Sequence, residues 1–305
     1  MAQPIIPGSN SDRTGSTRLL AKALREIEQR FSGLGGEAAK AFDEIEVLTL
    51  GGADVRTIYR MNPAEMERLV MILEAAVERY IISGADTYGS MWWAPYDQSA
   101  AQLGLAQSVA NLTGISAVYA AQRRFIDALE SEPFRNRVAM AQLKSYEHWT
   151  SLGAKARADL AQVIGESVAL GANPRDAKKA IRERLGVTKS QAAAYAQTDI
   201  TDTLRAARWA EAEHAKSAMG INVALLWTSA LLPTTRETHA SRHGKTYTTD
   251  EVREFYSRDG NRYRCHCSTT ECLIENGKPV LLPRLTQALS KEKQTWAKAR
   301  QKGKT

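Results

Sequence analysis

The feature that most constrains the fold is a change in hydrophobic periodicity near residue 220. Before this point, apolar residues recur every three or four positions in several stretches, as on one face of an α-helix. After it, Ile221–Trp227 alternates apolar and other residues, as on one face of a β-strand. Asn276 and Gly277 then predict a two-residue hairpin turn, because both tolerate positive φ. The sequence therefore predicts a mainly α protein with a small α+β C-terminal part.

Capping residues and glycines set the limits of the predicted helices. Asn62 and Pro63 favour a helix start, and Thr188 with Gln191 fits a capping box. The glycines at 33, 35 and 36, and the one at 186, are interpreted as helix ends. The predicted helices span about residues 14–31, 62–83, 97–110, 116–129, 133–149, 151–170, 174–185 and 188–219.

We predict three regions from these limits and from the charge distribution. Residues 1–150 form a helical N-terminal domain that begins with a loose segment, residues 151–283 form a second domain, and residues 284–305 form a basic tail. The tail contains seven basic residues and one acidic residue, so it carries nearly all of the net charge of +7. The almost neutral remainder argues against a host DNA-binding protein, which needs a basic folded surface.

The basic tail is a candidate contact for nucleic acid. Its cations could neutralise DNA phosphates, and Trp296 among them could stack on a base. The alternative is a tail that is merely solubilising or disordered. The predicted contact residues are Lys291, Lys293, Lys298, Arg300, Lys302 and Lys304.

Cysteine usage and hydropathy exclude several protein classes. The three cysteines lie within eight residues, and an odd, clustered number argues against a secreted disulfide framework. We expect no membrane span, because no run of about 18 apolar residues occurs. We also expect no secretory signal, because the first residues lack a basic segment followed by an apolar one.

Histidines and cysteines near the C-terminus predict a metal site. If Thr234 caps a helix, His239 and His243 share one face of it, four residues apart. If residues 263–274 form a strand, Cys265 and Cys267 point to the same side. Two imidazoles and two thiolates would complete a tetrahedral zinc site of the closed, structural kind.

Other interpretations of this cluster remain open at the level of sequence. Cys272 or His266 could replace one of the four ligands, or the cysteines could simply be reduced core residues. A zinc-dependent hydrolase or nuclease is the main alternative function. It would require an open coordination position and a nearby carboxylate, for which Glu237 and Glu271 are the local candidates.

Four segments in order resemble the phage head morphogenesis family typified by the Mu F protein, over about residues 155–275. They are GVTKSQAAAYAQTDITDTLRAARWAEA from Gly186, INVALLWTSA from Ile221, TTRETHASRHGKTY from Thr234 and RCHC from Arg264. The chain departs from the family pattern at two positions. Gln197 replaces the arginine of an Arg-Thr-Glu sequence, and His266 replaces the arginine between the two cysteines.

The resemblance implies a structural function in a tailed-phage head and no enzymatic activity. A relative of this kind is expected to be a low-copy minor head protein that binds the portal protein during procapsid assembly. The major capsid or scaffold protein and the viral double-stranded DNA are further expected partners. The implied location is the head interior or the portal vertex of the virion, after assembly in the host cytoplasm. We expect no fused toxin or peptidase domain, because only the basic tail follows residue 283.

Overall fold

The computed structural model describes residues 3–49, 57–87 and 89–302, and it is 67% helical. The predicted fold class, mainly α with a small α+β part near the C-terminus, is confirmed. The helices are α1 (Thr17–Asp43), α2 (Pro63–Tyr80), α3 (Ala94–Ile115), α4 (Ala117–Gln122), α5 (Phe125–Leu129), α6 (Glu132–Ala169), α7 (Pro174–Met219), α8 (Glu237–Ala240), α9 (Thr249–Ser257) and α10 (Pro283–Lys302). The strands are β1 (Val47–Thr49), β2 (Thr57–Tyr59), β3 (Val223–Thr228), β4 (Thr246–Tyr247), β5 (Ser268–Glu275) and β6 (Lys278–Pro279). None of the helices in the described ranges combines enough length with enough hydrophobicity to cross a membrane.

The chain divides into two compact units, each built from separate segments. The first contains Met1–Ala21, Pro95–Ala141 and Gln197–Thr305, and the second contains Lys22–Ala94 and Gln142–Ala196. The division into domains that was predicted from the sequence stays a prediction. The candidate site described below lies entirely in the first unit.

An antiparallel sheet with the strand order β4-β3-β5-β6 lies in the first unit. The predicted turn between β5 and β6 is confirmed, with Asn276 at φ 50° and Gly277 at φ 74°. Successive side chains of β3 point to opposite faces of the sheet. Trp227 packs with residues of α7 and α9, whereas Leu226 packs with Leu289 of α10. Helices therefore cover both faces of the sheet.

The core of the second unit includes a tryptophan cluster. Trp93 and Trp149 are both fully buried, and their ring centroids lie 5.0 Å apart. The ring of Trp92 contacts both, and the guanidinium of Arg30 lies 3.9 Å from the centroid of the Trp92 ring. These large aromatic surfaces pack inside the unit, where burial stabilises it.

Several predicted helix ends are wrong, because glycine inside a helix costs only about 1 kcal/mol and tertiary packing offsets it. Helix α1 continues through residues 33–36, where the absent side chain of Gly33 gives room to the ring of Tyr80. Helix α7 continues through Gly186. The Thr188 hydroxyl, predicted to cap a new helix, instead donates a hydrogen bond to Asp159 at 2.8 Å. Helix α6 likewise runs without a break through residues 149–151.

The described part of the N-terminal segment is ordered against the rest of the first unit, although the sequence predicted it to be loose. The Asp12 carboxylate accepts hydrogen bonds from the backbone N–H groups of Thr14 and Thr17, which caps the start of α1. The backbone N–H of Arg13 donates to the carbonyl of His266 at 3.2 Å. The N-terminal segment thus packs directly on the cysteine-containing loop.

Candidate metal centre

Three of the four predicted metal ligands lie together. His239 is the third residue of the short helix α8, and Cys265 and Cys267 lie in the loop that precedes β5. All three side chains are buried. Their donor atoms lie within 4.8 Å of one another, and in the described part of the chain this is the group that could hold a metal ion.

The distances between the donor atoms fit a tetrahedral ion. His239 Nδ1 lies 3.4 Å from Cys265 Sγ and 3.6 Å from Cys267 Sγ. Zinc bonds of about 2.0–2.1 Å to nitrogen and about 2.3 Å to sulfur, at tetrahedral angles, separate N and S by about 3.6 Å. The separations between His239 and the two sulfur atoms are therefore close to those of a zinc site.

A buried arginine supports the loop that carries the two thiols. Arg205 of α7 donates hydrogen bonds to the carbonyls of Cys265 and Cys267 at 2.7 and 2.9 Å. Burial by itself would raise the pKa of Cys265, but the hydrogen bond with Cys267 and the charge of Arg205 lower it well below its usual value. The hydrogen bond with Cys265 and burial raise the pKa of Cys267. The pair therefore favours one thiolate, which is the form that binds metals.

The tautomer of His239 follows from its contact with Arg236. The Arg236 Nη1 lies 3.1 Å from His239 Nε2, and a guanidinium can only donate. In the neutral ring Nε2 therefore accepts, and Nδ1 carries the proton that faces the two sulfur atoms. A metal ion bound at Nδ1 would take the place of this proton.

The structure does not bring His243 into the cluster. Helix α8 begins after Arg236 instead of at Thr234 and ends at Ala240, so the two histidines do not share a helical face. The Nδ1 of His243 accepts a hydrogen bond from the backbone N–H of Ser229 at 3.0 Å, and its Nε2 lies 3.4 Å from Glu292. Burial, Arg13 and Lys293 together lower the pKa of His243 to about 4.

The two alternative ligands do not belong to this group of donor atoms. Cys272 is on β5 and packs with Leu226 and Leu289, on the face of the sheet opposite to Trp227. Burial, together with Glu271, raises the pKa of Cys272 to about 12, which keeps it a thiol. The Nε2 of His266 lies 2.7 Å from the side-chain nitrogen of Gln197.

Both candidate carboxylates form ion pairs with arginines. Glu237 forms an ion pair with Arg300 of α10 at 2.9 Å, and its side chain is 72% exposed. Glu271 is fully buried and pairs with Arg208 at 2.9 Å. Glu271 also accepts hydrogen bonds from Ser108 and Asn111 of α3, so its role is to join that helix to the sheet.

A cavity of about 390 Å³ borders the three candidate ligands. Two arginines, Arg236 and Arg264, contribute to its wall. The remaining lining residues besides the ligands are Gln197, Ala230, Leu232, Thr234, Thr235 and His266. The cluster is therefore buried on its protein side but adjoins a polar, positively charged space.

The basic C-terminal segment is helix α10, not an extended tail. Lys291, Lys298 and Lys302 are exposed and recur at helical spacing along one face. Lys293 donates to the carbonyl of Ser241, and Arg300 donates to that of Thr235.

Trp296 is buried, and its indole N–H donates to the carbonyl of Leu232 at 2.9 Å. This packing role replaces the base stacking that the sequence suggested. Lys304 lies outside the described residues.

Sequence reasoning missed the two arginines that shape the cluster. Arg205 lies four residues from both Thr201 and Trp209, so it shares a helical face with them. This face of α7 is buried, and a charged residue on it was the signal in the sequence. No comparable signal marks Arg236, because its role depends on the contacts with the loop of residues 261–263.

Comparison with known families gives one match. The family model described as "Phage Mu protein F like protein" matches residues 158–270, a little over a third of the chain. The matched segment contains His239, Cys265 and Cys267, together with Arg205 and Arg236. No curated protein matches the chain, and no solved structure matches it.

Proposed function

Through residues 158–270 the chain belongs to the phage Mu protein F like family, and on this basis we propose that it is a minor protein of a tailed-phage head. It binds the portal protein during procapsid assembly, contacts the major capsid or scaffold protein, and remains in the head interior or at the portal vertex. The single observation that carries this proposal is the family match.

The metal centre has a structural function in this proposal, and the metal is zinc. His239, Cys265 and Cys267 supply one nitrogen and two sulfur donors, a set that zinc prefers. When bound, the ion would cross-link α8 to the loop that precedes β5. This part of the chain contains little regular structure to hold it together, since α8 has four residues and β4 has two. A cross-link of this kind stabilises small, loop-rich regions.

Viral double-stranded DNA is the proposed ligand of α10. Lys291, Lys298 and Lys302 form an exposed row of cations, which suits electrostatic contact with phosphates and no readout of base sequence. The lysines lie on the solvent side of a helix that is anchored by Leu289 and Trp296. The contact would therefore be rigid, in contrast to that of a flexible tail.

A zinc-dependent hydrolase or nuclease receives less support than a structural role. Zinc-dependent hydrolysis commonly uses a carboxylate near the metal-bound water as the general base. The two carboxylates that could serve are both engaged, Glu237 with Arg300 and Glu271 with Arg208.

The test is co-purification of the tagged full chain with the portal protein of the same phage, with zinc quantified in the eluate. We expect the portal to co-elute with the chain and the zinc content to be about one ion per chain. The control is the same chain mixed with an unrelated ring-shaped portal. Absence of portal binding, combined with zinc-dependent cleavage of DNA or peptides, would favour the hydrolase over the head protein.

A further inference from the structure

The candidate metal centre has one ligand fewer than a structural zinc site normally has. Closed structural sites use four protein ligands, whereas three protein ligands leave a position for a ligand from solution. In the described part of the chain, a fourth histidine, cysteine or carboxylate donor does not join the three. His243 uses Nδ1 to accept from Ser229, and Cys272 lies on the other face of the sheet. His266 lines the same cavity as the three ligands, but its Nε2 lies 2.7 Å from the side-chain nitrogen of Gln197.

All three ligands also line the cavity of about 390 Å³. A single water molecule takes about 30 Å³ of the liquid, so the cavity has room for an oxyanion with several waters. The protein side of the cluster, by contrast, is closed by Arg205, Tyr256 and the backbone of the loop. The cavity is thus the side from which a fourth ligand can approach.

The charge around the cavity favours an anion. Two thiolates and a neutral imidazole would balance the charge of a divalent ion, so the centre itself would be close to neutral. Arg236 donates to the carbonyls of Asn261 and Tyr263. Within the described ranges, neither Arg236 nor Arg264 forms an ion pair with a carboxylate. Two arginines that lack a carboxylate partner therefore belong to the wall of the cavity that adjoins the cluster.

We infer that the metal held by His239, Cys265 and Cys267 has its fourth position open to this cavity, where it binds an oxyanion from outside the chain. The ligand belongs to the class of carboxylates and phosphates, and Arg264 stabilises it by a charge-assisted hydrogen bond. The inference rests on the metal site that is part of the proposed function.

The experiment uses the full chain loaded with Co²⁺ in place of zinc, because the visible absorption of Co²⁺ reports its ligands. Acetate and inorganic phosphate are titrated separately, and the metal content is measured again after each titration. We expect a saturable change in the spectrum, with cobalt retained, for at least one of the two anions. The acetate arm and the phosphate arm distinguish the two sources of the oxyanion. A spectrum that neither anion changes overturns the inference.

Two variants distinguish the contribution of Arg264 to anion binding from the general effect of removing one positive charge. Arg264→Gln should lower the affinity for the anion about tenfold without loss of cobalt. This is the effect expected from removing one charge-assisted hydrogen bond. Arg258→Gln is the matched control, because Arg258 is exposed and pairs with Glu254 outside this cavity. Equal anion affinities in the two variants would remove Arg264 from the site. If Arg264→Gln does not fold, the titration of the unaltered chain still decides.

The measured metal content distinguishes failure of the metal site from failure of the open position alone. A chain that binds no metal overturns both the metal site and the open position, while the portal experiment still tests the head function. A chain that binds metal but whose spectrum responds to His243→Gln and to no anion has a closed site. In that case only the present inference fails.

Discussion

The guanidinium of Arg205 donates two hydrogen bonds to the carbonyl of Cys267, from Nη2 at 2.9 Å and from Nε at 3.3 Å. Its side chain is 1% exposed, so these bonds are formed away from water, where they are strong. The same Nη2 also reaches the carbonyl of Cys265. Helix α7 thus fixes the backbone of the loop that presents both thiols, independently of any metal.

Arg205→Lys should destabilise the protein, because lysine keeps the positive charge but lacks the planar group that reaches several carbonyls at once. The substitution removes a charge-assisted hydrogen bond and leaves a buried carbonyl without a donor. Together these changes should lower the free energy of unfolding by about 2–3 kcal/mol. Urea denaturation of the metal-free chain measures this. Arg258→Lys, at an exposed ion pair, should change stability by less than about 0.5 kcal/mol. Similar losses in both variants would contradict the role of Arg205.

His239→Ala and His243→Gln should differ in metal content. Removal of His239 takes away one of three donors, so we expect bound zinc to fall from about one ion per chain to nearly none. His243→Gln leaves the three donors in place and retains an acceptor for the N–H of Ser229. Atomic emission on both purified variants measures zinc. Loss of zinc in the His243 variant would instead support the four-ligand site that the sequence predicted.

His243 should make stability depend on pH in the acidic range. Its pKa is about 4 in the folded chain and about 6.5 in an ordinary setting, so the unfolded chain binds more protons between these values. Stability from this residue is therefore present above pH 6.5 and is lost as the pH falls towards 4, by up to about 3 kcal/mol. Glu292 lies 3.4 Å away, but its carboxylate is already paired with Arg13, and Lys293 adds a second positive charge.

The measurement is urea denaturation from pH 7 to pH 4.5 in the His239→Ala background, so that release of zinc does not contribute. His243→Gln in the same background should show a shallower decline of stability with falling pH. Parallel curves for the two proteins would show that His243 does not titrate as described.

Two glycine-to-alanine substitutions should have opposite effects. A Cβ added at Gly104 of α3 would lie 2.2 Å from the carbonyl oxygen of Leu204 of α7, which is backbone and cannot rotate away. We expect Gly104→Ala to cost about 1–3 kcal/mol through overpacking. A Cβ at Gly186 meets nothing within 4 Å and lies inside a helix, so Gly186→Ala should stabilise by about 0.5–1 kcal/mol. Thermal unfolding of both variants tests this, and a gain at Gly104 would refute the close approach of α3 and α7.

Replacing Lys291, Lys298 and Lys302 together by glutamine should weaken binding to duplex DNA. Each lost phosphate contact should reduce the steepness of the plot of log association constant against log salt concentration by about 0.9. The control variant replaces three other exposed lysines by glutamine, so that its net charge changes equally. These are Lys40, Lys179 and Lys216. Fluorescence anisotropy over a salt series measures both proteins. Equal slopes in the two would mean that α10 has no special part in DNA binding.

The sequence by itself determined the features that depend on neighbouring residues. The alternation in Ile221–Trp227 specified a strand, because side chains of a strand alternate between its faces. Asn276 and Gly277 specified the hairpin, because few other residues accept positive φ at both turn positions. Asn62 specified a helix start through its side-chain cap.

Only the tertiary structure decided where helices continue and which side chains meet. Gly186 did not end α7, because packing of the long helix outweighs the small local preference of one residue. His239 joined Cys265 and Cys267 across some 26 residues of chain, whereas His243, four residues away, turned towards Glu292. Local spacing predicts a shared face only within one regular element, and α8 ends too early for that. The hydrogen bonds of the buried Arg205 to carbonyls about 60 residues away, which local spacing does not specify, set the position of the cysteine loop.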